Sequence, residues 1–128
     1  MKVVILGGGA VGTLVARRLI SEKNEVTIVE RDDSRCNQLT ETLDAKIVLG
    51  SASSVTALEK ADIRHADMLI AVTNSDDVNL LGCLITQAHS PATIKVARLR
   101  THEVDRWQSI CGRDFLDIDL VIHPDRET

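Results

Sequence analysis

Aromatic side chains are nearly missing from this chain of 128 residues, which has one Trp, one Phe and no Tyr. Its core must therefore be aliphatic, as the cores around parallel sheets usually are. No apolar run approaches 18 residues, so no segment reads as a membrane span. Basic residues are not in excess: 15 Lys and Arg stand against 19 Asp and Glu, for a net charge of −4. That balance, with a pI near 5.5, excludes the basic face expected of a dedicated binder of nucleic acid or anionic membrane. The three cysteines (Cys36, Cys83 and Cys111) form no C-x-x-C pair and have no histidine at ligand spacing. They read as reduced thiols of a cytoplasmic protein. The four histidines are scattered and equally unsuited to a metal. The length suits one domain able to bury a core without disulfides.

What is present begins at the first residue. Met1-Lys2 runs straight into a β-branched apolar strand, so no signal peptide is expected. That strand feeds Gly7-Gly8-Gly9-Ala10-Val11-Gly12, a G-x-G-x-x-G turn carried by Gly7, Gly9 and Gly12. A helical pattern follows (Val11, Leu14, Val15, Leu19), then a second strand, Val26-Thr27-Ile28-Val29, closed by Glu30, 18 residues after Gly12. Strand, glycine turn, helix, strand and terminal acid in this order make the dinucleotide-binding fingerprint. Gly7 permits the sharp turn. A bare backbone at Gly9 admits a pyrophosphate to the N–H groups that open the helix at Ala10 and Val11, where the helix dipole favours an anion. Gly12 lets helix and sheet approach, and Glu30 accepts hydrogen bonds from the hydroxyls of an adenosine ribose.

The rest of the chain alternates short apolar runs with amphipathic stretches. The pattern predicts strands over residues 3–6, 26–29, 47–49, 68–72, 94–99 and 120–122. It predicts helices over 11–21, 34–43, 75–89 and 103–111, and a short one capped by Ser53 or Ser54. Residues 61–63 read as a linker. Six strands separated by helices predict an α/β fold: a Rossmann-like, doubly wound parallel sheet of order 3-2-1-4-5-6 in three αβα layers. At the end of the chain, His123-Pro124-Asp125 reads as the opening of a further helix. The 1–128 chain is therefore expected to be a single nucleotide-binding domain followed by more protein.

The residues after each predicted strand form the rim of a pocket. Glu30 there favours a free 2′-hydroxyl, and hence NAD over NADP, whereas the adjacent Arg31 offers a partner to a 2′-phosphate or a stacking face for adenine. Ser51 and Ala52 are placed to line an adenine site, although N-capping explains the serines equally well. Thr73 and Asn74 are candidates for the distal ribose or the pyrophosphate, and Asp76 and Asp77 complement a helix dipole. Arg98 and Arg100 alternate onto one face, where either a phosphate or a partner's acid fits.

Several of these segments together resemble one family. Gly7–Gly12, Val29-Glu30, Val48-Leu49-Gly50-Ser51-Ala52, the string from Ala66 through Asn79, and Val96-Ala97-Arg98-Leu99-Arg100 are similar to the KTN domain. That domain, also called RCK, occurs in the peripheral Trk-type subunits of potassium transporters and in ligand-gated potassium channels. The string 66–79 is the most specific part. The resemblance implies a cytoplasmic regulatory domain at the inner face of the membrane that binds NAD(H), or ATP, ADP or AMP at the same site, without turning them over. It implies homo-oligomers, dimers building to a tetrameric or octameric ring, beneath a membrane-embedded potassium transporter or channel, and ligand-dependent gating. By position, Gly7, Gly9 and Gly12 would hold phosphates, Glu30 the ribose, Ser51 and Ala52 the base region, Thr73 and Asn74 the distal part, and Arg98 a phosphate, across an interface in one arrangement. The chain departs from the family's pattern in having Glu rather than the frequent Asp at position 30, and in lacking the small second lobe.

Two other readings compete. One is the cofactor half of an NAD-dependent oxidoreductase; against it, the chain has no tyrosine for a tyrosine–lysine base and no other acid–base pair stands out. The other is an S-adenosylmethionine-binding methyltransferase-like fold, which the string 66–79 disfavours.

Overall fold

A computed structural model describes residues 1–124. They take in Pro124 but not Asp125 onward, so the further helix expected at the end of the chain lies outside them. Twelve elements follow in order: β1 (Lys2–Leu6), α1 (Ala10–Ser21), β2 (Glu25–Glu30), α2 (Asp33–Thr42), β3 (Lys46–Leu49), α3 (Val55–Lys60), a 3-10 turn (Ile63–His65), β4 (Met68–Ala71), α4 (Asp76–His89), β5 (Ile94–Arg98), α5 (Val104–Cys111) and β6 (Leu120–Ile122). All the strands are parallel, in the expected order β3-β2-β1-β4-β5-β6.

Strand alternation divides the core between two faces. Val3 and Ile5 of β1 join Val26, Ile28, Ala16 and Leu39 under α1 and α2. Val4 and Leu6 join Leu58, Leu69, Cys83, Ala97 and Leu99 under α3, α4 and α5. No aromatic side chain enters either cluster.

Register sets the functional edge. Leu6 pairs with both Val29 and Ala71, so Gly7, Glu30 and Val72 emerge side by side. The ladders continue one step further through Gly7 N–H to Val29 C=O, Gly50 N–H to Glu30 C=O and Val72 N–H to Leu6 C=O, at 2.9–3.0 Å.

Two expectations change. Residues 61–63 do join α3 to β4, but not as plain linker: Ala61 and Ile63 are fully buried, and Ile63 opens a 3-10 turn that packs into the core. The pattern Val11, Leu14, Val15, Leu19 does lie on a helix, but only Val15 and Leu19 pack against the core, since Leu14 is 70% and Val11 42% exposed. The buried residues of the helix are Gly12 and Ala16, and at Gly12 a Cβ would already clash with the Gly7 carbonyl.

Candidate functional site

The carboxyl edge opens into a cleft of about 160 Å³ where the strand order reverses. Gly7, Gly9, Glu30, Arg31, Ser51, Ala52, Thr73 and Asn74 line it, as the sequence leads one to expect. Ala10 instead faces a groove between α1 and α2. Val11, Gly12 and Arg98 also stand outside the lining.

Gly12 acts from beneath. A Cβ there would sit 2.0 Å from the Gly7 carbonyl oxygen, so glycine is required for α1 to meet the turn. Gly7 adopts φ +102°, which L side chains rarely tolerate. Gly9 differs from both. Its φ is ordinary, and a Cβ would meet no atom within 4 Å. Neither backbone strain nor crowding demands glycine at position 9, so its bareness matters only to something that approaches from outside.

The start of α1 completes this argument. α2, α3 and α4 are capped by the side chains of Asp32, Ser54 and Ser75, which accept from Arg35, Ala57 and Val78 N–H. At α1 the cap is Gly9, which offers no side-chain acceptor. The first helical bond there is Thr13 N–H to Gly9 C=O at 2.9 Å, so the N–H groups of Ala10, Val11 and Gly12 precede it. Uncapped N–H groups on a helix that starts at a glycine turn suit a phosphate.

Glu30 is 5% exposed and already bonded. Its Oε1 accepts Gly8 N–H and its Oε2 accepts Asp32 N–H, both at 2.8 Å. The carboxylate therefore locks the glycine turn to the β2–α2 loop. Each oxygen keeps a further lone pair, so a ribose diol can still donate to it. Cys36 lies behind, its thiol donating to Glu30 C=O at 3.3 Å, and burial followed by the charge of Glu30 pushes that thiol's pKa up.

The opposite wall is held by Asn79, which sequence reasoning missed. It is 1% exposed. Its Oδ1 accepts Thr73 N–H at 3.0 Å and Thr73 Oγ1–H at 2.7 Å, and its Nδ2 donates to Thr73 C=O and Arg98 C=O at 3.2 and 2.7 Å. The available signal was an amide side chain on the apolar face of a helix, where it needs a polar partner. Asn74 receives two arginines: Arg98 Nη1 donates to its Oδ1 at 3.5 Å, and Arg100 Nη1 to its C=O at 3.1 Å. Asp76 does more than complement the dipole, accepting Arg100 and Thr101 N–H at 2.9–3.1 Å. Arg35 of α2 also lines the cleft unforeseen, its Nη1 3.6 Å from Glu30 Oε1. The apolar lining comes from Val29, Val72 and Val78.

Among the described residues no helix is long and apolar enough to cross a membrane, and no group of three or more metal-ligating side chains gathers.

Comparison with known proteins places these features in a lineage. The chain is 43% identical over 129 residues to the Trk system potassium uptake protein TrkA of Azorhizobium caulinodans, covering 99% of this chain but only 28% of that protein. Its fold is similar to the TrkA-N domain of inner membrane protein ybaL from Escherichia coli, with TM-score 0.81, 21% identity, and coverage of 98% of this chain and 89% of that one. It is likewise similar to the GsuK channel bound to NAD and bound to ADP, with TM-score 0.77, 21% identity and 94% of this chain covered in each case, against 21% and 30% of those chains. The TrkA-N domain family model matches residues 3–124. The chain belongs to the TrkA-N domain family.

Proposed function

We propose that this chain is the nucleotide-binding regulatory domain of a potassium uptake system, the first part of a longer cytoplasmic subunit. It takes NAD(H), or ATP, ADP or AMP at the same site, and ligand binding changes how its copies assemble beneath a membrane-embedded potassium transporter. The observation that carries this reading is the uncapped start of α1 at a glycine whose side-chain direction is open, beside the bonded carboxylate of Glu30. The relatives' potassium uptake role and the NAD and ADP of the GsuK structures support it.

The cleft is smaller than the pockets of about 300 Å³ or more that enclose a ligand alone, so a dinucleotide leaves one end outside it. Gly9 and the α1 N–H groups would receive the diphosphate, Glu30 the adenosine ribose, and Thr73 and Asn74 the distal sugar or phosphate. Glu30 is the single carboxylate in the lining, and His, Lys and Tyr do not contribute to it. This favours a bound regulator over a substrate being turned over. Regulation then follows from differential affinity: a ligand shifts two assembly states only by the difference in its binding to them, typically about 1–3 kcal/mol.

A thermal-shift panel of NAD⁺, NADH, NADPH, ATP, ADP and S-adenosylmethionine tests the reading. A ligand at 100 times its Kd stabilises by about 2.7 kcal/mol, well above detection. Stabilisation by NAD(H) or ATP/ADP is expected; stabilisation by S-adenosylmethionine alone, or by none of the panel, refutes it.

A further inference from the structure

Two arginines border the adenosine end of the cleft, and their surroundings differ. Arg31 lines it directly after β2, and among the described residues its guanidinium has no carboxylate within ion-pair distance. Arg35 stands in the first turn of α2, its side chain half exposed, with Nη1 3.6 Å from Glu30 Oε1. That is ion-pair distance without a hydrogen bond. The hydrogen bonds of the carboxylate come instead from the main chain at Gly8 and Asp32. The fork of Arg35 is thus anchored by charge alone and stays free to engage a second anion. It also reaches both the cleft and the α1–α2 groove, so it has room to swing.

An unpaired carboxylate at the end of β2 repels a 2′-phosphate, and a nearby arginine accommodates one. Here the acid and the arginine form one unit, and a phosphate on the sugar that Glu30 reads would come within reach of a rigid donor fork suited to it. We infer that Arg35, and not Arg31, reads the 2′ position of the bound adenosine, allowing the site to admit a 2′-phosphate beside Glu30 at reduced affinity rather than excluding it. The inference rests on the nucleotide-binding reading above.

The test is calorimetry with NAD⁺ and NADP⁺, which differ only in that phosphate, on the chain and on Arg35→Ala, Arg31→Ala and Glu30→Gln. The unaltered chain binds NAD⁺ more tightly than NADP⁺, with both measurable. Arg35→Ala lowers the ratio of NADP⁺ to NAD⁺ affinity by roughly 10-fold or more, the scale of a lost charge-assisted bond to phosphate. Glu30→Gln raises that ratio, and Arg31→Ala lowers both affinities alike. An unchanged ratio in Arg35→Ala, a shifted ratio in Arg31→Ala, or NADP⁺ rejected where NAD⁺ binds each overturns the inference alone. Failure of the unaltered chain to bind either cofactor overturns the nucleotide-binding reading, and this inference with it.

Discussion

Replacing Gly9 by serine should raise stability and lower affinity together. Gly9 caps α1 with φ −73° and ψ −164°, extended backbone open to any residue, and a Cβ there meets nothing within 4 Å. Serine is a better N-cap than glycine by a few tenths of a kcal/mol, because its hydroxyl accepts the N–H of the second or third helical residue. A gain of about 0.3 kcal/mol is expected, raising the melting temperature by about a degree at this size. The same hydroxyl takes a donor that a diphosphate would use. Losing one charge-assisted bond costs about 1.5–3 kcal/mol, or roughly 10- to 150-fold in Kd for NAD⁺ or ADP. Gly12→Ala is the opposing control. Its Cβ falls 2.0 Å from Gly7 C=O, and overpacking of about 1–3 kcal/mol or more outweighs the gain of up to about 1 kcal/mol in helix propensity. Differential scanning calorimetry and titration calorimetry on the two variants separate the effects. A Gly9→Ser protein that binds NAD⁺ and ADP as before would show that no anion sits at α1.

Three further outcomes are expected. Asn79→Ala leaves Thr73 N–H and Arg98 C=O without their partner and should cost about 2–3 kcal/mol, read by urea denaturation, with exchange at the Thr73 amide rising most. The side chain of Lys2, then that of His65, holds the Asp62 carboxyl at about 2, below its ordinary 3.8. Its contribution to stability is therefore present above pH 3.8 and lost as pH falls toward 2, so Asp62→Asn should flatten the stability curve in that window. In native thiol labelling Cys111, which is exposed, should react. Buried Cys36 and Cys83 should not, the latter pushed up to about 12 by burial; labelling of Cys83 before unfolding would contradict the packing under α4.

Much of the fold was legible because its signals are local. Glycine turn, β-branched runs and capping serines each specify their own element, and the order of elements then specifies the sheet. Of the two serines expected to cap α3 it is Ser54 that does so, and Ser75, the expected opening of the helix over 75–89, caps α4. Contacts that join distant segments were not legible. The bond of Glu30 to Gly8 N–H spans 22 positions and that of Asn79 to Arg98 C=O spans 19, and no periodicity encodes either. The apolar pattern of α1 was half informative: Val15 and Leu19 pack on the core, but Leu14 imitates a core position while the most buried residues are the small Gly12 and Ala16. Lys95 was equally hidden: a strand lysine that is 1% exposed, its ammonium donating to Thr93 C=O at 2.7 Å.

β1 lies in the middle of the sheet although it comes before the other five strands in chain order. β2 can cover one of its edges after about thirty residues, but β4, which covers the other, ends at Ala71. For that interval a nascent chain displays a bare, wholly apolar edge, Val3-Val4-Ile5-Leu6, of the kind that invites stray pairing. The fold thus leaves its central strand half covered until β4 is made, and slower translation between β2 and β4 would lengthen that exposure.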